Sequence, residues 1–255
     1  MLCTRCHHFE AAPDGVLCTQ CAAAPGFQAP PAGAAPTVWL RSPVGLGWAT
    51  AVLLAVAAAV DLFSLGADLY LYDVTGDLLG GGAGDAVRDG SDLADTLTVV
   101  AGAAQALMLF VCAVVFVVWL WRVRRNAEVF APDGHRKARP WVIAGWVVPI
   151  VSLWYPRRVV VDIWDASSTG EKSEGHALIN AWWTLWLISN TVGQLLYVAF
   201  EEADTSREIH DSMTQAMAGD ALDLVAALLA AAVVLRLTRM QDEMARRGPA
   251  VPVAM

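Results

Sequence analysis

Charged side chains are scarce in this chain. Only 16% of its 255 residues are Asp, Glu, Lys or Arg, whereas 56% are hydrophobic. A soluble globular domain carries about 25% charged residues, so the composition excludes that class. Residues 97–121 include no charged side chain, and as a helix they would extend about 37 Å against a hydrocarbon core of about 30 Å. The sequence therefore predicts an integral membrane protein in contact with the lipid bilayer.

Four apolar runs alternate with loops that are either strongly acidic or strongly basic. The runs are residues 46–71, 97–121, 179–200 and 221–235. Residues 73–95 hold six Asp and one base, Arg88, and residues 201–220 hold six acids and one base, Arg207. Residues 122–140 instead carry six Lys or Arg against two acids. Because basic loops stay in the cytoplasm, the pattern predicts four crossings, with both termini cytoplasmic and both acidic loops outside.

Lysine is almost absent, with two residues against fifteen Arg, and Ala is abundant. This usage is typical of a GC-rich bacterial genome, so we expect a bacterial plasma membrane protein. We expect no cleavable signal peptide, because the first residues include cysteines and histidines rather than an apolar segment. Membrane orientation accounts for the basic residues, and no nucleic-acid binding is predicted.

Cysteine is also rare, but four of the five cysteines fall within the first 24 residues. They form two C-x2-C pairs separated by 11 residues: Cys3, Cys6, Cys18 and Cys21. Four thiolates can close a tetrahedral site around Zn(II), and a cytoplasmic location disfavours the rival interpretation, a disulfide framework. His7 or His8 could replace one thiolate, whereas Cys112 is expected to be a packing residue. The predicted organisation is a structural zinc ribbon over 1–24, a flexible linker over 25–43, a multi-pass helical domain over 44–240 and a disordered tail over 241–255.

One apolar stretch, residues 141–155, is too short to cross a membrane. It would form only about 22 Å of helix, and Pro149 interrupts it while Pro156 ends it. Extending the helix further would bring two arginines into hydrocarbon, at about 2.5–3.5 kcal/mol each. We therefore expect a re-entrant or interfacial segment built on Trp141, Gly145, Trp146, Pro149, Ser152 and Pro156. A full fifth crossing is the alternative, and it would place residues 201–220 in the cytoplasm.

The expected surroundings of this segment follow from its broken backbone. Hydrocarbon offers no partner to the backbone groups that Pro149 frees, so the segment should pack inside protein. We expect it to lie against the second and fourth runs near the inner leaflet. The expected wall is Trp119, Trp182, Trp183 and Trp186, with Ser152 or Asn190 supplying polar contacts.

Three acidic side chains lie within or beside the apolar runs: Asp61, Asp68 and Asp223. Asp61 and Asp68 are seven residues apart, so they share one face of a helix. An ionisable group at membrane depth indicates a proton relay, an ion site or a contact between helices. Asp68 and Asp223 are close enough to the outer interface to be hydrated, so only Asp61 is predicted to be deep.

The chain lacks the nucleophile elbow, phosphate loop, metalloprotease helix and kinase signatures of known enzymes, so no enzyme is predicted. A dense pattern of Trp, Pro and Gly instead marks residues 119–190. It includes Trp119, Arg122, Arg125, Asn126, Pro140, Trp141, Gly145, Trp146, Pro149, Trp154, Pro156, Asp162, Trp164, Ser167, Trp182, Trp183 and Trp186. These residues resemble the uncharacterised bacterial multi-pass family catalogued as domain of unknown function 4328, whose members often carry a short cysteine-rich N-terminus. Ser152, where Asn is usual, and Arg139 with Pro140, where Pro-Gly is usual, depart from the pattern.

The resemblance implies a multi-pass membrane protein but no activity. The leading hypothesis is a non-enzymatic interaction or regulatory module, whose cytoplasmic zinc ribbon contacts a protein partner. The alternative is a small transporter or channel subunit that uses Asp61 and the broken segment at Pro149. A polar cavity joining those two residues would favour transport, and a dry bundle would favour the module.

Overall fold

The computed structural model describes residues 3, 11, 18, 21, 40–82, 84–168, 175–201 and 205–247, without the side chains of residues 194–201. The chain divides into two compact units, Met1–Trp39 and Leu40–Met255. Residues 25–39 of the predicted linker lie outside the described residues. The predicted ligand Cys6 lies outside them as well. The fold below is that of the second unit.

The described part of the second unit is all-helical, as predicted. Six helices follow one another: α1 Val44–Leu79, α2 Asp85–Phe130, α3 Trp141–Val147, α4 Tyr155–Ala166, α5 Ala177–Glu201 and α6 Ser206–Arg247. A short 3₁₀ turn, Val151–Leu153, lies between α3 and α4. Because α6 continues to Arg247, it covers the first seven residues of the range in which we expected a disordered tail.

Three helices in the described residues, α1, α2 and α6, are long and apolar enough to cross a membrane. Their outward faces are apolar as well. On α2, for example, Val99, Leu107 and Phe110 each expose more than 60% of their surface. Large apolar side chains in such numbers are solvated by lipid tails rather than water. These helices indicate a membrane protein.

The helices extend beyond the apolar runs and shorten the two acidic loops that the sequence predicts. Residues 73–95 are mostly helical, since α1 ends at Leu79 and α2 begins at Asp85. The turn between them uses glycine where the backbone needs it, with φ of 86° at Gly81 and 126° at Gly84. Likewise, α6 begins at Ser206, so Asp220 belongs to a helix rather than to a loop. A helix satisfies its own backbone and can therefore continue past the apolar run.

The four long helices pack in the order α2, α1, α6, α5, and α2 and α5 scarcely touch within the described residues. Neighbouring helices are antiparallel. At one end, Trp119 of α2 donates a hydrogen bond from Nε1 to Oγ1 of Thr238 of α6 at 3.1 Å. At the other end, Tyr72 of α1 stacks on His210 of α6 with centroids 4.0 Å apart. We call these the basic end and the acidic end, after the charges nearby.

The segment from Trp141 to Pro156 fills the space between α2 and α5 at the basic end. Its helix α3 ends at Val147, so the predicted break before Pro149 is confirmed. The chain then reverses, because the Trp141 and Tyr155 rings lie 4.7 Å apart and Lys137 Nζ is 3.1 Å from Tyr155 Oη. The segment is therefore a hairpin that returns to the end from which it started. A straight fifth helix is not formed.

The packing partners of this hairpin differ in part from our expectation. Trp146 contacts Phe116 of α2 and also Trp183 and Trp186 of α5, both of which belong to the expected wall. The hairpin therefore packs against α2 and α5, whereas we had expected the second and fourth apolar runs. The gap between α2 and α5 explains the difference, since the hairpin occupies it. The expected polar contacts are also replaced, because Asn190 bonds within its own helix and Trp183 Nε1 donates to the Leu153 carbonyl at 3.0 Å.

Candidate functional site

A cavity of about 620 Å³ lies between α1, α2, α5 and α6 and reaches the hairpin at Trp146. We call it the acid cavity, because four carboxylates line it: Asp61, Asp68, Asp220 and Asp223. It extends along α1 from Leu54 to Asp68, which is about 21 Å of helix at 1.5 Å per residue. This length is about two thirds of the thickness of a hydrocarbon core, which is about 30 Å.

Gln105 of α2 joins two of these carboxylates. Its Nε2 donates to Oδ1 of Asp61 at 3.3 Å and to Oδ1 of Asp220 at 3.0 Å. An amide nitrogen carries two hydrogens, so both bonds can form together. The second oxygen of Asp220, Oδ2, is buried and has no hydrogen-bond partner of standard geometry in the part of the chain that the structure describes. One side chain of α2 therefore links a carboxylate of α1 to a carboxylate of α6.

The other two carboxylates extend the acidic part of the cavity along α1 and α6. Asp68 lies two turns from Asp61 on the same face of α1, as its spacing predicts. Its residue exposure is 8%, and among the described residues it makes no hydrogen bond that would compensate its burial. Asp223 lies one turn from Asp220, beside Ser189 of α5. Asp68 and Asp223 both line the cavity together with Asp61.

The end of the cavity near the hairpin is apolar and aromatic. Trp146, Trp182 and Trp186 line it together with Phe116. Their rings pack edge to face, with 5.6 Å between the centroids of Trp146 and Trp186. Pro149, which the sequence pattern linked to Asp61, is exposed and does not line the cavity. The hairpin thus contacts the cavity through Trp146 rather than through its proline.

Two important residues of this site were not predicted from the sequence. Gln105 sits in a run without charge, where one amide is a weak signal, although a lone amide among apolar residues marks a polar contact in a membrane. Asp220 was assigned to an outer loop, because residues 201–220 read as a continuous acidic stretch. Its spacing of three residues from Asp223 is the helical signal that could have moved it into α6.

The N-terminal unit brings three of the four predicted metal ligands together. The sulfur atoms of Cys3, Cys18 and Cys21 lie within 4.8 Å of one another, and Cys3 and Cys18 are buried. Three thiolates at this separation could bind a soft metal ion. Cys6, the fourth predicted ligand, lies outside the described residues. Cys112, which we expected to be a packing residue, is buried on α2 among apolar side chains and also lines the acid cavity.

Long apolar helices around a central cavity define a multi-helix membrane protein. The profile of the family described as "Domain of unknown function (DUF4328)" matches residues 86–239. Since the match covers more than half of the chain, the protein belongs to this family, as the resemblance of residues 119–190 predicts. The match includes Gln105, Asp220 and Asp223, while Asp61 and Asp68 precede it. No curated protein and no solved structure matches the chain.

Proposed function

We propose that this chain crosses the bacterial plasma membrane four times, with both termini in the cytoplasm, and that its acid cavity binds and transports a cation with an apolar body. The observation that supports this proposal best is the union of four carboxylates and an aromatic wall in one cavity along the bundle axis. Helix α5, 25 residues long, would be the fourth crossing, beside α1, α2 and α6.

The charge of the ligand follows from the carboxylates. Acidic groups at membrane depth are costly unless they are neutralised by a partner. Asp61 interacts electrostatically with Asp220 and Asp223, and Asp68 with Asp220, so the acids repel one another. The hydrogen bonds from Gln105 offset only part of this repulsion. A bound cation, or protons that exchange with it, would supply the missing positive charge.

The apolar part of the ligand follows from the other end of the cavity. The faces of Trp and Phe rings attract cations and bury large apolar areas. A volume of about 620 Å³ also exceeds what a bare metal ion needs and falls within the range of sites for organic ligands. We therefore favour an organic cation over Na⁺ or a divalent metal.

Transport, rather than binding alone, is favoured by the length of the cavity and by the hairpin. Broken backbone at membrane depth is tolerated where it is packed in protein or lines a cavity, and Trp146 of the hairpin contacts the cavity. The observation that we expected to favour the transporter over the interaction module was a polar cavity joining Asp61 to Pro149, and the acid cavity meets this criterion only in part. The cavity reaches the hairpin at Trp146 and not at Pro149, so Trp146 takes the role we had given to the proline.

The test is binding of tetraphenylphosphonium, an organic cation with four aromatic rings, to the full-length protein in nanodiscs. We expect Asp68→Asn and Asp220→Asn each to weaken binding about tenfold, since each removes one charge from the cavity. Asp73→Asn is the matched control, because Asp73 lies on α1 but is exposed outside the cavity. Uptake of the same cation into proteoliposomes then separates transport from binding.

Equal binding by the wild type and both cavity variants would contradict the proposal. So would binding of a neutral analogue of the same size with equal affinity, because the carboxylates would then be irrelevant. If the cation binds but no uptake is measured, the binding site stands and the transport step fails.

A second function, the metal-dependent interaction module, is favoured by the cysteine cluster. We infer a structural Zn(II) site in a cytoplasmic ribbon formed by Cys3, Cys6, Cys18 and Cys21, which could present a surface to a protein partner. Metal content of the full-length protein tests it, with one zinc expected per chain and loss of that zinc in Cys18→Ser. The control Cys112→Ser should keep the metal. Disulfide pairing of the N-terminal cysteines in cells would contradict this second function.

A further inference from the structure

A second concave site lies at the basic end, outside the acid cavity. The loop between α2 and α3 lies beside the last turns of α2, and together they form an open pocket of about 490 Å³. We call it the loop pocket. Its charged and titratable lining residues are Arg124, Glu128, His135, Arg136, Lys137 and Arg139.

Positive charge predominates in the loop pocket. Four Lys or Arg side chains line it against one carboxylate, Glu128. Arg139 pairs with Glu128, and Arg136 lies 3.6 Å from the buried carboxylate of Asp162, which is outside the pocket. Even with both acids counted, two positive charges remain. Topology alone would require basic residues near this interface, but not their convergence on one concavity.

Not every buried donor of the pocket has an acceptor. Arg124 is 3% exposed, and its Nε and Nη2 bond to Glu128 at 3.2 Å and to the Lys137 carbonyl at 2.6 Å. Among the described residues, its Nη1 is buried without an acceptor, and neither ring nitrogen of His135 makes a hydrogen bond of standard geometry, although the Ala127 carbonyl interacts with the ring. A buried donor without an acceptor is costly, so native structures rarely keep one without a reason. Because a neutral imidazole carries one N–H group, Arg124 and His135 together bring two such donors to one cationic pocket.

The chemistry of a suitable ligand follows from these donors. A phosphate group offers several acceptor oxygens and negative charge, and the planar guanidinium of Arg matches its geometry. The pocket begins at Arg124, less than one turn after the apolar run ends at Trp121, which is the level of lipid headgroups if α2 crosses the membrane. Trp141 begins the hairpin on its other side, and Trp is typical of that interface.

We propose that the loop pocket binds the phosphate group of an anionic ligand, either the headgroup of a phospholipid or a soluble phosphate. This site goes beyond the proposed function and does not depend on it, since no residue lines both cavities. Arg124 is the central ligand, His135 donates from a ring nitrogen, and the exposed Arg136 attracts the anion.

The experiment uses the full-length protein purified in a neutral detergent and measures bound ligand by native mass spectrometry. Phosphatidylglycerol, phosphatidylcholine and inorganic phosphate are titrated separately. We expect one anionic ligand per chain, with affinity reduced about tenfold in Arg124→Lys, which keeps the charge but removes the planar fork of donors. Arg136→Gln should weaken binding as well. The fold should tolerate this second change, because 72% of the Arg136 side chain is exposed.

Arg158→Gln is the matched control, because Arg158 is an exposed cation near the same end and outside the pocket. Its affinity should equal that of the wild type. Binding of phosphatidylglycerol alone identifies the bilayer as the source, and comparable binding of inorganic phosphate identifies a soluble ligand. Equal binding of phosphatidylcholine, equal losses in Arg158→Gln and Arg136→Gln, or no binding of any anion would overturn the proposal.

Discussion

At the scale of single residues, two buried amides hold the basic end together. Asn126 of α2 donates from Nδ2 to the Arg41 carbonyl at 2.8 Å and to Oε1 of Gln241 at 3.1 Å. Gln241 of α6 in turn donates to the Val123 carbonyl at 2.8 Å and to Oγ of Ser167 at 3.2 Å. This network connects α2 and α6 with the ends of two neighbouring segments.

Replacement of Gln241 by Leu should therefore destabilise the protein by about 1–3 kcal/mol, since it leaves Asn126 and the Val123 carbonyl with fewer partners. Thermal unfolding in detergent measures the effect. Gln215→Leu is the control, because Gln215 is an exposed amide on the same helix. Equal unfolding temperatures for the two variants would show that the network contributes nothing.

His135 makes stability depend on pH. Its burial, and then the charge of Arg124, lower its pKa below the ordinary value of 6.5, against the opposing effects of the Ala127 carbonyl, Glu128 and Asp162. The unfolded chain therefore binds a proton more readily than the folded chain. Stability from this group is present above pH 6.5 and is lost as the pH falls below that value.

We accordingly expect the unfolding temperature of the wild type to fall more steeply between pH 7 and pH 5 than that of His135→Asn, in detergent without anionic lipid. The asparagine does not titrate, so the difference between the two curves reports on His135. A steeper fall in the variant would contradict the lowered pKa, because it would mean that protonation of His135 stabilises the folded state.

The candidate site was only partly predictable from its residues. Asp61 and Asp68 could be assigned to one face of α1, because a carboxylate in an apolar run stands out and helical spacing relates the two. Gln105 and Asp220 could not be joined to them from sequence, since that requires knowing which faces of α1, α2 and α6 meet. Single-residue patterns carry no information on contacts between helices that are far apart in the chain.

At the scale of elements, the hairpin depends on one indole. Trp183 Nε1 donates to the carbonyl of Leu153, in the 3₁₀ turn where the backbone is broken. Trp183→Phe should lower the free energy of unfolding by about 1 kcal/mol, because that carbonyl loses its donor in a place with little water. Trp186→Phe is the control, since Trp186 stacks on Trp183 at 4.8 Å but makes no comparable bond. A larger loss in the control would assign the effect to ring packing instead.

The contact between α1 and α6 depends on a glycine. A Cβ atom at Gly47 would collide with the side chain of Thr238, the residue that accepts the bond from Trp119. We expect Gly47→Ala to destabilise the protein by about 1–3 kcal/mol through overpacking. Gly45→Ala meets no atom within 4 Å and should be neutral or slightly stabilising, because Ala favours the helix. Equal effects in thermal unfolding would contradict the close approach.

Proline and charged residues indicated which helical elements form, but they did not indicate where the long helices end. Pro149 marked the break in the hairpin because it lacks a backbone donor, and the arginines after it excluded a longer helix. The ends of the long helices were harder to predict from the sequence. An apolar run is limited by the thickness of the hydrocarbon core, but the backbone hydrogen bonds of a helix can continue beyond it. Two predicted loops were therefore mostly helical.

At the scale of the whole molecule, the order of the helices in the bundle could not be predicted from the sequence. In a membrane protein, the faces toward lipid and toward protein are both apolar, so hydrophobicity does not tell them apart. Phe110 is 68% exposed and Trp119 fully buried, although both belong to one apolar run of α2. Small residues such as Gly47 and polar residues such as Gln105 are the signals that distinguish the two faces.

The antiparallel bundle, combined with the charge of its ends, makes the orientation testable. Single cysteines at Asp85 and Thr205, both exposed at the acidic end, should react with a membrane-impermeant maleimide in intact cells. Cysteines at Ser42 and Asp133, exposed at the basic end, should react only after permeabilisation, because Lys and Arg keep that end in the cytoplasm. The hairpin begins and ends at the basic end, so it does not change the side of the membrane on which the later residues lie. Reaction of Thr205→Cys only after permeabilisation would mean that α5 and α6 do not cross as a pair, and the acid cavity could then not lie along the membrane normal.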